Sequence, residues 1–156
     1  MSIEVDTNVL LRLPQVPHVK HTVAHDAVRL LLSQRQQLCL MPQNLYEYWV
    51  VATRPAAQNG LGMTVAEAAA DVAHFRILFT VLDDTPAILP TWEQLVTQHQ
   101  VLGKNAHDAR LVAAMMVHGI GRILTFNTAD FQRFPGIVAH SPLDIIASSD
   151  SGSAIP

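Results

Sequence analysis

The sequence predicts an α/β fold of three layers, in which a short, mainly parallel central sheet lies between helices. Apolar stretches of about five residues alternate with segments of ten or more residues that carry helical periodicity. The short stretches are apolar throughout instead of alternating with polar residues, which is typical of strands covered on both faces. A chain of 156 residues, 49% of them hydrophobic, has enough apolar material for one substantial core, so a single domain is expected.

The boundaries of the elements follow from turn formers and caps. Residues 3–5 predict the first strand, and the turn-forming Asp6-Thr7-Asn8 predicts a polar loop after it. Thr64 is a typical N-cap for a long helix. In chain order the remaining predictions are a helix over 22–33, a strand over 37–41, helices over 44–53 and 65–77, a strand over 78–82, helices over 87–99 and 105–118, a strand over 122–126, a loop or short helix to 134, and a strand over 137–139.

Composition excludes several classes of protein. Charged residues make up only 15% of the chain, which argues against disorder and against a coiled coil. Cys39 is the only cysteine, so disulfides and thiolate zinc clusters are excluded, and a cytoplasmic protein is expected. The first residues lead directly into a strand and no apolar run approaches membrane length, so neither a signal peptide nor a membrane partner is expected. Residues 1–146 are predicted as the domain, and the small, polar residues 147–156 as a disordered tail.

The net charge of −3 argues against a protein that binds nucleic acid through a broad basic surface. Four acids nevertheless occupy notable positions. Asp6 and Asp130 follow predicted strands, whereas Glu47 and Asp108 lie among apolar residues near the starts of helices. A parallel sheet gathers such positions at the carboxyl edge of its strands, where ligands bind.

Clustered carboxylates repel one another and are stable at neutral pH only with protons or divalent cations. Ligand sets made of oxygen favour Mg²⁺ or Mn²⁺ over zinc. A carboxylate-held magnesium orients water and neutralises charge on a phosphate, so the pattern points to phosphodiester hydrolysis. A purely structural interpretation stays open, because Asn44, Asn105 and Asn127 each stand three residues before one of these acids, which is the spacing of a helix capping box.

Four segments together resemble the PIN domain family, specifically the VapC-like ribonuclease toxins of bacterial toxin–antitoxin pairs. They are Val5-Asp6-Thr7-Asn8-Val9-Leu10-Leu11-Arg12, Gln43-Asn44-Leu45-Tyr46-Glu47 with Thr53-Arg54-Pro55, His107-Asp108-Ala109-Arg110-Leu111-Val112-Ala113, and Leu124-Thr125-Phe126-Asn127-Thr128-Ala129-Asp130-Phe131. They occur in the family's order and span most of the chain, up to about residue 146.

The resemblance implies a PIN-like fold and an endoribonuclease that depends on Mg²⁺ or Mn²⁺. It implies that Asp6 and Asp108 are the main metal ligands, that Glu47 holds metal or activates water, and that Asp130 is the fourth acid. The supporting residues would be Thr125, Asn8 and Asn127, the last of which replaces an aspartate found in many relatives. The expected partners are an RNA substrate, a cognate antitoxin protein and a second copy of the chain in a homodimer.

We expect Arg12, Arg110 and Arg133 to contact the RNA backbone, because each lies within about a turn of a predicted ligand. Pairing of the same arginines with acidic residues of an antitoxin is an equal alternative at this stage. Two other functions remain open at this stage. A haloacid dehalogenase-like phosphatase would also place an aspartate after the first strand, although its mechanism needs a second aspartate where Asn8 stands. A non-catalytic PIN module that only binds a partner would be expected to lack one of the acids.

Overall fold

The computed structural model describes the backbone of residues 1–150 and the side chains of residues 1–149. Five strands form one sheet in which every pairing is parallel, and helices cover both faces, as the sequence predicts. The strands are β1 (Ser2–Val5), β2 (Gln37–Leu40), β3 (Thr80–Val81), β4 (Arg122–Leu124) and β5 (Val138–His140), and their order across the sheet is β3-β2-β1-β4-β5.

Seven α-helices connect or follow these strands within the described residues. They are α1 (Thr7–Leu10), α2 (His21–Ser33), α3 (Pro42–Thr53), α4 (Val65–Leu78), α5 (Ile88–Gln98), α6 (Asn105–Val117) and α7 (Pro142–Asp150). Two short 3-10 turns, Ala56–Gln58 and Thr128–Phe131, complete the structure. No helix within residues 1–150 is both long enough and apolar enough to cross a membrane.

Each face of the sheet has its own apolar core. Successive side chains of a strand point to opposite faces. Ile3 and Val5 of β1 therefore pack with α2 and α4, whereas Ile123 of β4 packs with Val112 and Met115 of α6. The three central strands β1, β2 and β4 are largely buried on both sides, which explains why they are mainly apolar.

The strand order places a crevice at the carboxyl end of β1. The chain leaves β1 to form β2 on one side, whereas β4 pairs with β1 on the other side. Connections that depart in opposite directions leave a gap between them, and this switch point is where open α/β sheets bind ligands. Asp6 is the first residue after β1 and stands at this gap.

Two elements differ from the sequence predictions. The predicted loop at Asp6-Thr7-Asn8 is instead the start of the short helix α1, whose Val9 and Leu10 are fully buried. The described part of the chain also ends in a helix that the sequence predictions do not include. Ser141 and Asp144 form a reciprocal cap at the start of α7, and buried Ile145 anchors it. The helix continues to Asp150, into the segment predicted as a tail from residue 147, and residues 151–156 lie outside the described part of the chain.

Candidate active site

Asp6 is held rigidly at the end of β1. Its Oδ2 accepts hydrogen bonds from Thr125 Oγ1 at 2.6 Å and from Asn8 Nδ2 at 2.8 Å. Burial raises the pKa of Asp6 to about 6, and the negative charges of Asp108 and Glu47 add to this rise, while the Thr125 hydrogen bond opposes it. Ionisation of the Asp6 side chain in this position therefore costs free energy.

Glu47 reaches the same place from the second turn of α3. Its Oε2 accepts a hydrogen bond from Thr7 Oγ1 at 2.9 Å, and its Oε1 accepts one from Gln43 Nε2 at 2.8 Å. Gln43 stands one helical turn before Glu47, so the two side chains lie on the same face of α3. Both oxygens of Glu47 are thus oriented by the protein, as expected of a functional carboxylate and not of a solvated one.

Asp108 projects from the first turn of α6 and is partly buried. Burial raises its pKa, and the charges of Asp130 and Glu47 raise it further, against the opposing effect of His107 and Arg133. Asp130 is exposed and belongs to the 3-10 turn after β4. The charges that raise the pKa values of Asp6 and Asp108 belong to the other acids of the set, so the four acids are electrostatic neighbours although they come from four separate elements.

The capping interpretation of these acids is wrong. The N-cap of α3 is Met41, whose N–H donates to Asn44 Oδ1 at 2.7 Å, so Asn44 itself occupies the third helical position. The N-cap of α6 is Lys104, and it makes no side-chain cap bond. Asn127 does precede the 3-10 turn, yet its side chain makes no cap bond either. Among the described residues, none of the three helical acids completes the box that its spacing suggests.

One cleft of about 800 Å³ contains all four acids, together with Asn8 and Asn127. Its other wall is largely apolar and includes Leu11, Val50 and the exposed ring of Tyr46, which lies beside Glu47 on α3. The cleft therefore combines a polar floor of carboxylates and amides with an apolar wall. Thr125 is fully buried beneath the floor and supports it from below.

The structure distributes the three predicted RNA-binding arginines unequally. Arg12 donates to Gln15 and is not among the residues that line the cleft. Arg110 does line it, but its guanidinium is engaged by Asp84 and Gln43. Arg133 is exposed, and its charge acts on Asp108.

Two other cations on the rim were not predicted as backbone contacts. Lys104 and Arg54 both line the cleft, and Lys104 is exposed at the start of α6, with His107 one turn further on. No sequence pattern marks Lys104, because its position depends on how α6 meets the sheet. The basic side chains that line the cleft are therefore partly different from those that the sequence suggests.

Glu4 is a further acid that sequence reasoning missed. It lies on β1 two residues before Asp6, on the same face of the strand, and is completely buried. Neither of its carboxyl oxygens has a hydrogen-bond partner among the described residues. Burial raises its pKa well above the usual range and the charge of Asp6 raises it further, with only partial opposition from the Asn44 amide. The sequence signal that could have identified Glu4 is a single charged residue within an otherwise largely apolar strand.

The donor set fits a hard divalent cation. The polar floor offers carboxylates and amide oxygens, which suit Mg²⁺ and Mn²⁺, and no thiol. Burial and mutual repulsion disfavour the ionised forms of Asp6 and Asp108, and a cation would relieve that repulsion. Within residues 1–149, however, no three His, Cys, Asp or Glu side chains are close enough to enclose a metal ion as they stand. Binding would thus require side chains to move together.

Solved structures with the same fold are numerous. A DNA-bound VapBC structure from Salmonella typhimurium superposes with a TM-score of 0.66 and 19% identity, covering 91% of this chain and 98% of that chain. VapBC2 from Rickettsia felis gives 0.65 and 14% identity, over 90% and 98% of the two chains. The Mycobacterium tuberculosis toxin VapC20, described as cleaving the sarcin–ricin loop, gives 0.56 and 23% identity, over 78% and 86%.

A comparison with curated proteins yields no significant sequence match. The model of the PIN domain, in contrast, matches residues 3–137, which include all four cleft acids, the whole of β2, β3 and β4, and β1 from Ile3 onwards. The match agrees with the parallel sheet, with the crevice at β1 and with the order of the acidic segments. The chain therefore belongs to the PIN domain family.

Proposed function

We propose that the protein is a metal-dependent endoribonuclease that hydrolyses RNA phosphodiester bonds and acts as the toxin of a VapBC-type toxin–antitoxin pair. The observation that carries the proposal is the meeting of four carboxylates from separate elements in one cleft, at the switch point of the sheet. The raised pKa values of Asp6 and Asp108 are typical of functional sites, where charges are held together at a cost.

Asp6 and Asp108 would be the main ligands of Mg²⁺ or Mn²⁺, with Glu47 and Asp130 completing the acidic set. When bound, such an ion lowers the pKa of water and stabilises charge that develops on a phosphate. Asn127 lines the same cleft and offers an amide oxygen without a negative charge.

The chain's own residues orient these groups. Thr125 and Asn8 fix the Asp6 carboxylate, and Thr7 and Gln43 fix that of Glu47. Carboxylates that are already oriented can position a water molecule for in-line attack on the phosphate at little entropic cost. We propose that Glu47 accepts the proton of that water.

The charge balance supports metal-dependent binding of RNA. Without the four site acids, nine acidic residues remain against ten Lys and Arg, so the rest of the molecule is nearly neutral. Lys104 and Arg133 are exposed near the acids and are our candidates for contacts to the RNA backbone. With so few cations, RNA should bind weakly in the absence of divalent metal.

The structural neighbours support the toxin role. The Salmonella and Rickettsia structures are VapBC structures, and VapC20 is a toxin that cleaves the sarcin–ricin loop. We therefore propose a cognate antitoxin as the partner, a homodimer as the assembly and the cytoplasm as the compartment. The family match removes the basis for a phosphatase, and the presence of all four acids favours an enzyme over a module that only binds.

The test is cleavage of RNA in Mg²⁺, in Mn²⁺ and in EDTA, by the wild-type chain and by Asp6→Ala. Glu93→Gln is the matched control, because Glu93 is an exposed acid on α5 outside the cleft. We expect cleavage only with metal, its loss in Asp6→Ala, and wild-type activity in the control. Cleavage in EDTA, or full activity of Asp6→Ala, would contradict the proposal.

A further inference from the structure

Gln43 joins the two helices that carry the cleft acids. It lies in the first turn of α3 and is only 7% exposed. Its Nε2 donates both to Glu47 Oε1 at 2.8 Å and to the carbonyl oxygen of His107 at 2.9 Å. His107 immediately precedes Asp108 in α6, so a single side-chain amide links the Glu47 carboxylate to the helix turn that bears Asp108.

Arg110 determines which end of that amide faces Glu47. Its Nη1 donates to Gln43 Oε1 at 3.0 Å. The two ends of an amide have nearly the same shape but opposite polarity. In the reversed orientation the amide oxygen would face a carboxylate and a carbonyl, and its NH₂ group would face a guanidinium. All three contacts would be repulsive, so the orientation that donates to Glu47 is the one that the surroundings allow.

Arg110 is in turn anchored outside the cleft. Its Nη2 lies 3.0 Å from Oδ2 of Asp84, which belongs to the loop between β3 and α5. The two side chains are 34% and 40% exposed, so their ion pair contributes little stability by itself. Its effect is directional, because it holds the guanidinium against the amide oxygen of Gln43.

We propose that Gln43 is a positioning residue that keeps the Glu47 carboxylate directed towards Asp108, and that Arg110 and Asp84 enforce its orientation. The carboxylates of Glu47 and Asp108 repel each other, so without Gln43 the Glu47 carboxylate, then held only through Oε2 by Thr7, would turn away from Asp108. The inference rests on the proposed function only for its effect on cleavage, whereas its effect on metal binding can be measured separately.

The experiment compares Gln43→Met with Gln98→Met. Met keeps the length and volume of Gln43 but removes both the donor and the acceptor, so a packing role would survive the change. Gln98 is an exposed glutamine at the end of α5 and serves as the matched control. Mn²⁺ affinity is measured by isothermal titration calorimetry on the full chain, and kcat and KM are measured on RNA.

We expect Gln43→Met to weaken Mn²⁺ binding and to lower kcat, each by about 10- to 100-fold, as is usual when the group that orients a ligand is removed. The KM for RNA should stay close to the wild-type value, and the control should match the wild type throughout. Wild-type Mn²⁺ affinity and kcat in Gln43→Met would overturn the inference.

Arg110 provides a second test if Gln43→Met folds poorly. Arg110→Met should weaken Mn²⁺ binding less than Gln43→Met does, and Arg110→Lys, which keeps a charged donor, should restore part of the affinity. Equal and unimpaired Mn²⁺ binding in both Arg110 variants would contradict the role of Arg110.

The two proposals can fail separately. If Gln43→Met weakens Mn²⁺ binding while the wild type cleaves no RNA, the positioning role stands and the ribonuclease function fails. If the wild type cleaves RNA with metal and Gln43→Met behaves identically, the function stands and the positioning role fails. A wild-type chain that binds no Mn²⁺ contradicts both.

Discussion

The starts of α4 and α6 have similar sequences but opposite structural outcomes. Each has a capping-type residue followed three positions later by an acid, Thr64 with Glu67 and Asn105 with Asp108. In α4 the pair closes a reciprocal cap, in which the N–H of Glu67 donates to Thr64 Oγ1 at 3.2 Å and the N–H of Thr64 donates to Glu67 Oε2 at 2.7 Å. The hydrogen bonds that the backbone N–H and the side chain of Thr64 donate to the Glu67 carboxylate lower the pKa of Glu67.

In α6 the N-cap is Lys104, four residues before the acid instead of three as in α4, so Asp108 is not placed to complete a cap. Asp108 projects into the cleft, where burial and the charges of Asp130 and Glu47 raise its pKa. Spacing alone therefore does not separate a capping acid from a site acid. For this pair the direction of the pKa shift does, because Glu67 is stabilised by its donors, whereas Asp108 is held in a costly position.

The largest expected effect is on catalysis, in Asp108→Asn compared with Glu67→Gln. We expect Asp108→Asn to lower the rate of RNA cleavage by about 100-fold or more, because a catalytic metal contributes several kcal/mol of charge stabilisation. Glu67→Gln should cleave RNA at the wild-type rate, because Glu67 is exposed at the start of α4 and acts only on that helix. Initial rates of RNA cleavage at saturating Mg²⁺ test this prediction. Similar rates in the two variants would contradict the assignment of Asp108 to the active site and of Glu67 to a helix cap.

The second effect concerns stability and pH in the metal-free protein. The pKa of Asp6 rises from 3.8 to about 6 on folding, so between these values the folded state takes up a proton that the unfolded state has lost. The contribution of Asp6 to stability therefore falls as pH rises through this interval and stays low above it. Because Asp6 is partly exposed, we expect Asp6→Asn to be more stable than the wild type by about 1–2 kcal/mol at pH 7.5.

Urea unfolding in EDTA at pH 4, 5, 6 and 7.5 measures this difference. It should be near zero at pH 4 and should reach its plateau above pH 6. The effect should shrink when Mn²⁺ is added, because the ion stabilises the wild type in preference to the variant. A wild type that remains the more stable protein at pH 7.5 in EDTA would show that Asp6 is not in a costly position.

The smallest expected effect is on the free energy of unfolding, when the two capping-type residues Thr64 and Asn105 are each replaced by alanine. Thr64→Ala should lower the free energy of unfolding by about 1 kcal/mol, the usual cost of losing an N-cap side chain. Asn105→Ala should change it by less than about 0.5 kcal/mol, because Asn105 is the first helical residue of α6 and not its cap. Thermal or urea unfolding of both variants is sufficient, and a loss in Asn105→Ala as large as that in Thr64→Ala would mean that the two helix starts are equivalent.

Much of the fold could be predicted because its signals are local. The apolar stretches predict all five strands, with β3 shorter than its predicted range, and helical periodicity predicts α2, α3, α4, α5 and α6. The short helix α1 was predicted as a loop, since its Asp-Thr-Asn start has turn chemistry and its stability comes from burying Val9 and Leu10. The final helix α7 was missed for a similar reason, because it depends on packing against α2 and on the Ser141 cap.

The sequence by itself determined the parallel α/β architecture, the family and the identity of the four acids, because periodicity, motif order and residue type are written along the chain. Only the tertiary structure decided that these acids face one cleft instead of capping their helices. It also decided that Arg110 is bound to Gln43 and Asp84, and that Lys104 stands at the rim. The physical reason is that the exact start of a helix and the partners of its side chains depend on how the helices pack on the sheet. That packing is determined jointly by residues that lie far apart in the chain.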